Sequence, residues 1–267
     1  MTLMLIGNSL TAGNLGIAYS RYLDFPEKPD NRIINLGLDG DTLQGVKNRL
    51  RKALEKEIPD ILVIQTGAND ILLPEMKSRG GDWASFVKAM TDRGSIPAAG
   101  PGEFLDIYSE MIEETTARGI DIRDIICVTI PPLGENLQSS RNRIRRDFNR
   151  SILKAVKDTG AVPADAAREF EQLLQGIETP SDWFFENPED FTADVKEVRR
   201  GKGAMKLSEE RGLYLTMDGA HLNEKGAELM AGVISTAIAM EAVPRRVRQH
   251  SRSTSGQRGP RRGIART

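Results

Sequence analysis

Histidine is scarce in this chain of 267 residues: there are two, and His250 lies in a ragged basic tail. His221 is therefore the only imidazole in the rest of the sequence. Cysteine is scarcer still. A single Cys127 excludes an internal disulfide, and one cysteine with two histidines argues against a zinc or iron–sulfur site. No apolar run approaches the length of a membrane span. The first strand-to-helix turn has neither the closely spaced glycines of a dinucleotide site nor the Gly-Lys-Ser/Thr of a phosphate loop, which argues against nucleotide binding. The start, Met1-Thr2-Leu3-Met4-Leu5-Ile6-Gly7, lacks the basic flank and cleavage site of a secretory leader and reads directly as a strand. A cytoplasmic location is the default expectation, although a trimmed leader would leave the same start.

What is present describes an ordinary soluble globular protein, 28% charged and 39% hydrophobic. The net charge of −1 hides an asymmetry. Beyond Pro244 there are eight arginines and no acidic residue, which leaves the body at about −9. Such a tail, 245–267, buries too little apolar surface to order itself, and the acidic body argues against nucleic acid as the main partner.

Short apolar runs alternate with helical stripes. Leu3–Ile6, Arg32–Asn35, Asp60–Gln65, Asp124–Ile130 and Ala161–Ala164 read as five strands covered on both faces. Four stripes read as helices: Leu43, Val46, Leu50 and Leu54, with Asp41 and Gln44 placed as a capping box; Phe104, Ile107, Met111 and Thr115; Ile144, Phe148, Ile152 and Val156; and Leu229, Val233, Ala237 and Ile238. The alternation predicts one parallel sheet between two helical layers, with ligands at the carboxyl ends of the strands. Two stretches break the rhythm, about 73–100 and about 176–215, and read as long loops of the kind that form lids. They hold seven of the fourteen aromatics: Trp83, Phe86, Trp183, Phe184, Phe185, Phe191 and Tyr214. These form either an apolar wall over a site or a satellite core beneath the loops.

Four short segments fall at strand ends or helix starts. In Gly7-Asn8-Ser9-Leu10, a serine on a strand-to-helix turn has the geometry of a nucleophile, though a serine beside glycine is more often a turn residue. In Gly37-Leu38-Asp39-Gly40-Asp41-Thr42, a glycine offers an unobstructed N–H to an anion or simply makes the turn. In Gly67-Ala68-Asn69-Asp70, an amide side chain is placed to donate to an oxyanion, while Asp70 ties the loop together. In Asp218-Gly219-Ala220-His221, a carboxylate three residues before an imidazole is placed to fix its tautomer and stabilise its cation. Each has a structural explanation alone. Their joint occurrence favours a site.

These segments, the second through its Gly40-Asp41-Thr42, resemble the four blocks of the SGNH hydrolases, the GDSL-type esterases and lipases, and the likeness runs from Leu3 to about Met240 without the two long stretches and the tail. Asn8 departs from the pattern, since the family usually has aspartate there. The resemblance implies a flavodoxin-like three-layer sandwich with a five-stranded parallel sheet, forming one catalytic domain over 1–244. It implies that Ser9 is the nucleophile, His221 the base and Asp218 its orienting carboxylate, with the Ser9 and Gly40 N–H groups and the Asn69 amide receiving the oxyanion. No metal or organic cofactor is needed. The expected partner is a small or lipid-like ester, with Trp83, Trp183, Phe184 and Phe185 as candidate substrate contacts. A thioesterase, lysophospholipase, carbohydrate deacetylase or acyltransferase would use the same machinery, and a non-catalytic binding module is the reading from another class.

Overall fold

The computed structural model describes residues 1–25 and 30–254, without the side chains of 191, 199 and 241–254. Five strands, β1 (Thr2–Gly7), β2 (Arg32–Gly37), β3 (Ile61–Gln65), β4 (Ile125–Val128) and β5 (Val162–Ala164), form one sheet in the order β2-β1-β3-β4-β5. All pairings are parallel. The helices are α1 (Ser9–Ala12), α2 (Leu43–Leu54), α3 (Ala68–Arg79), α4 (Gly81–Asp92), α5 (Pro101–Ala117), α6 (Ser140–Thr159), α7 (Ala166–Gln175), α8 (Pro188–Arg199), α9 (Ala204–Glu210) and α10 (Glu224–Thr254). The fold expected from the alternating pattern is the one found.

The period-two alternation of the central strands divides the core. Met4, Ile6, Leu62, Ile64, Ile125 and Cys127 face a layer containing α2 to α6, whereas Leu3, Leu5, Ile61, Val63, Ile126 and Val128 face α7 and α10. Only β1, β3 and β4 are covered on both faces. β2 and β5 are edges: Arg32 and Ile33 are exposed, and β5 carries Pro163, which a central strand would not accommodate. Two helical stripes match in part: Phe148, Ile152 and Val156 of α6 and Ala237 and Ile238 of α10 are buried as expected. Arg145, not Ile144, is buried in α6, and Met230 and Ile234 face the core of α10 more fully than Leu229 and Val233.

The stretches expected to be long loops carry helices instead. Pro74 lies inside α3, and Gly80 separates α3 from α4, which begins at Gly81. The second stretch forms α8 and α9, with a capping box at Asn187 and Asp190. Trp83 and Phe185 belong to the main core cluster, so no separate core lies under them. α10 continues to Thr254, into the segment whose composition predicts no order, and 255–267 lie outside the described residues. Among the described residues no helix is long and apolar enough to cross a membrane.

Strand order is what assembles the site. Because β1 lies between β2 and β3, with Gly7 opposite both Gly37 and Gln65, the loops after these three strands leave the sheet side by side. The loop before α10 is brought there by separate bonds. Thr216 and Leu222 form an antiparallel bridge, and the Ile17 N–H donates to the Leu222 carbonyl at 2.9 Å. The buried Glu135 carboxylate accepts from the N–H groups of Tyr214, Leu215 and Thr216 and from the Thr216 hydroxyl, at 2.6–2.9 Å. Glu135→Ala strands these donors and is expected to lower unfolding stability by about 3 kcal/mol, and Glu135→Gln by less. Urea midpoints would check this; an unmoved midpoint for Glu135→Ala would contradict it.

Candidate active site

Ser9 is the first residue of α1, where a backbone N–H has no intrahelical acceptor. Asn8 is the N-cap, and its Oδ1 accepts from the Leu10 N–H at 3.0 Å. The asparagine thus keeps the acceptor that an aspartate would supply. Its Nδ2 is the cost: it is buried with no partner among the described residues. Nothing in the asparagine departure disturbs the serine, whose Oγ stands 3.1 Å from Nε2 of His221.

The imidazole is held from its other side. His221 Nδ1 lies 2.6 Å from Asp218 Oδ2, while Asp218 Oδ1 accepts from the N–H groups of Ala220 and His221 at 2.9 and 2.6 Å. A carboxylate on Nδ1 places the proton there and leaves Nε2 as an acceptor for the serine hydroxyl. Asp218 is fully buried, and Ser9 and His221 nearly so. Burial alone would push the imidazolium down. The charge and hydrogen bond of Asp218, helped by the charges of Asp39 and Asp194, outweigh it and raise His221 above its ordinary value.

Gly219 makes the tight turn between these two residues at φ +83°, and a Cβ there would stand 2.5 Å from the Phe184 ring. Phe184 carries the Arg141 guanidinium 3.6 Å from its ring centre, and Arg141 is paired to Glu75 at 2.7 Å. On the other side Arg211 stacks 3.9 Å over Trp183, pairs with Asp194 at 2.6 Å and donates to the Met217 carbonyl at 2.6 Å. Two carboxylate–arginine–aromatic stacks therefore clamp the loop from Met217 to Gly219.

Gly40 and Asn69 line the same cavity as Ser9 and His221. Gly40 has φ +74°, which strains any other residue, and a Cβ on it would stand 2.7 Å from Met90 Sδ and 2.9 Å from Arg93 Nη2, displacing those flexible side-chain ends. The Asn69 Nδ2 donates to the Asp41 carbonyl at 2.8 Å, which fixes the amide and leaves its second hydrogen unspent by that bond. The expected capping box of Asp41 and Gln44 does not form. Thr42 is the N-cap, Asp41 binds Arg49 at 2.7 Å, and the Leu43 N–H is received by Asp70 at 2.9 Å. Asp70 also accepts from the Ala98 N–H at 3.0 Å, joining three loops; burial pushes its carboxyl up to about 7.

The cavity has a volume of about 310 Å³, and its walls include Leu15, Leu72, Met76, Phe86, Met90, Leu133 and Phe185. Of the four aromatic candidates, Phe185 alone lines it. Trp83 lies one layer behind, packed against Phe86 and Phe185 with its Nε1 donating to the Glu186 carbonyl, and Trp183 and Phe184 are occupied as clamps. The Phe191 side chain lies outside the described residues. Sequence reasoning missed Leu72, Met76 and Met90 as wall residues. Their only signal was position, one or two helical turns beyond Asn69 or on the helix after it. It also missed Arg93 and the clamping pairs. Among the described residues no group of three or more His, Cys, Asp and Glu side chains could hold a metal.

The profile of the GDSL-like lipase/acylhydrolase family matches residues 5–229. No curated protein matches the chain. Among solved structures, LAE5, an alpha/beta hydrolase enzyme from the metagenome of Lake Arreo in Spain, superposes with a TM-score of 0.56 at 17% identity, covering 88% of this chain and 94% of that one. Axe2, an acetylxylan esterase from Geobacillus stearothermophilus, gives 0.55 at 18% identity, covering 90% and 93%. The acetyl xylan esterase AlAXEase gives 0.56 at 16% identity, covering 89% and 100%. At these identities the likeness establishes the fold. The match along most of its length makes this chain a member of the GDSL-like lipase/acylhydrolase family, a carboxylic ester hydrolase.

Proposed function

We propose that the protein hydrolyses esters of hydrophobic acyl or aryl groups through an acyl-enzyme formed on Ser9. The observation that carries this reading is the continuous line from Asp218 through His221 to Ser9 Oγ, at 2.6 and 3.1 Å, opening into a cavity with apolar walls. Ser9 Oγ attacks the carbonyl carbon while His221 Nε2 takes the hydroxyl proton. The carbonyl oxygen, now an anion, is received by the Ser9 and Gly40 N–H groups and the free hydrogen of Asn69. His221 then gives its proton to the departing alcohol oxygen as the tetrahedral species collapses. Water enters, loses a proton to His221 and attacks the acyl carbon; the proton returns to Ser9 as the acid leaves. Asp218 orients the ring throughout and stabilises its cation.

The walls favour an apolar acyl or aryl group over a sugar. Leu72, Met76, Phe86 and Met90 offer contact area but no acceptors for hydroxyl groups. Deacetylation of a carbohydrate, the activity of Axe2 and AlAXEase, is therefore the weaker reading for this chain.

Ser9→Ala is expected to abolish turnover of a short aryl ester, and Asn69→Ala to lower kcat by roughly 10²–10³-fold, both measured by steady-state kinetics on folded protein. Near-wild-type rates for Ser9→Ala would end the proposal. The base must be neutral, so kcat/KM should fall as pH drops through the raised His221 value. The acid limb is thus expected above the ordinary value of 6.5. Asp218→Asn should lower kcat by about 10⁴-fold. A limb at or below the ordinary value in the wild-type profile would contradict the raised His221 value, and the absence of an acid limb in the histidine range would contradict its assignment as the base. Phe86→Ala is expected to extend the preferred acyl length, read as kcat/KM across an ester series; an unchanged profile would remove this wall from substrate selection.

A further inference from the structure

The cavity that is apolar within carries a cation at its edge. Arg93 follows the last turn of α4, is exposed, and lines the cavity together with Ser9 and Gly40. Its guanidinium donates to the backbone carbonyl of Asp39. A guanidinium has five N–H donors, so most of its capacity remains. No carboxylate among the described residues lies within ion-pair distance of it. In this it differs from the neighbouring arginines, since Arg49, Arg79 and Arg141 are each bound to an acid. The acid on the same wall is Asp39: its Oδ2 accepts from Asn14 Nδ2 at 3.2 Å, its Oδ1 is buried with no hydrogen-bond partner among the described residues, and neither forms an ion pair with Arg93. The position is close to the reacting centre. A Cβ on Gly40 would stand 2.9 Å from Arg93 Nη2, so the charge lies beside the residue assigned to receive the oxyanion.

We propose that Arg93 determines specificity by selecting esters that carry an anionic group, a carboxylate or a phosphate, a few bonds from the scissile carbonyl. This rests on the ester-hydrolase site proposed above. A planar guanidinium with free donors matches the paired oxygens of such a group. The apolar part of the ester occupies the wall of Met76, Phe86 and Met90 while the anion stays at the wet edge, where charge costs least to keep. The anion is carried by either the acid or the alcohol part of the substrate.

Two matched pairs of esters distinguish these sources. Mono-4-nitrophenyl adipate against 4-nitrophenyl hexanoate places the charge on the acyl side; 3-(butanoyloxy)benzoate against its methyl ester places it on the alcohol side. The quantity read is the ratio of kcat/KM for the anionic ester to that for its neutral partner, in the wild type and in Arg93→Gln. In one pair the wild-type ratio is expected to exceed that of Arg93→Gln by roughly 3- to 10-fold, mainly through KM. The excess should shrink at high salt, and Arg93→Lys should retain part of it. Identical ratios in both proteins for both pairs would overturn the proposal, including the case where Arg93→Gln slows all four esters equally because the side chain only braces the Asp39 carbonyl. Absence of turnover even for the neutral esters would instead remove the hydrolase reading beneath it, and this proposal with it.

Discussion

The hydrogen bond between Asp218 Oδ2 and Nδ1 of His221, 2.6 Å long and sealed from water, is the constraint on which the rest of the site depends. It decides which ring nitrogen holds the proton, and hence that the other faces Ser9 as an acceptor. It also sets the sign of the pKa shift, because without that carboxylate burial would depress the imidazolium. The same carboxylate spends its second oxygen on two backbone N–H groups of its own turn. Orientation and charge are therefore supplied by one group that is itself unable to rotate.

A turn so small is not rigid alone, and much of the chain outside the sheet holds it. Glu135 templates the strand-like approach at 214–216, the Gly134 N–H holds the Gly219 carbonyl at 2.6 Å, and two arginine–aromatic stacks press on the turn from either side. The consecutive residues Trp183, Phe184 and Phe185 divide the work. The first two brace the histidine turn, and the third, 4.1 Å from Phe184 between ring centres, forms cavity wall. A single segment thus couples the shape of the cavity to the placement of the imidazole. α3 and α4 complete the opposite wall, so pocket and braces come from the same additions to the sheet.

The legibility of each part in the sequence follows from the range of the interactions that specify it. β1, β3 and β4 were legible because burial on both faces forces continuous apolar runs, a purely local signature. The four site blocks were legible because each sits where a strand or a helix changes into a turn, and the types Ser, Gly, Asn and Asp-x-x-His carry local meaning there. The edge strand β2 misled at Ile33, which looks like a core residue but is exposed in a strand with a neighbour on one side only, whereas Ile34 does pack on the main core. Ile144 misled for a related reason: the buried neighbour is Arg145, whose guanidinium is satisfied by Asn142, Ile130 and Glu171, and no periodicity argument chooses an arginine over an isoleucine. Asp41 read as a helix cap because the cap from Asp70 comes from 27 residues away. The aromatics of the second insertion stood out in the sequence, but their division into braces and wall depends on Arg141 and Arg211, which only the fold brings near.

The central claim is that Ser9 becomes covalently acylated because His221 removes its proton inside this cavity. The most direct measurement is intact and peptide mass spectrometry after treatment with a fluorophosphonate. One adduct per chain on the peptide bearing Ser9, formed faster as the imidazole deprotonates and much more slowly in His221→Ala, is the expected result. Modification spread over surface hydroxyls, or confined to a residue other than Ser9, would contradict the account.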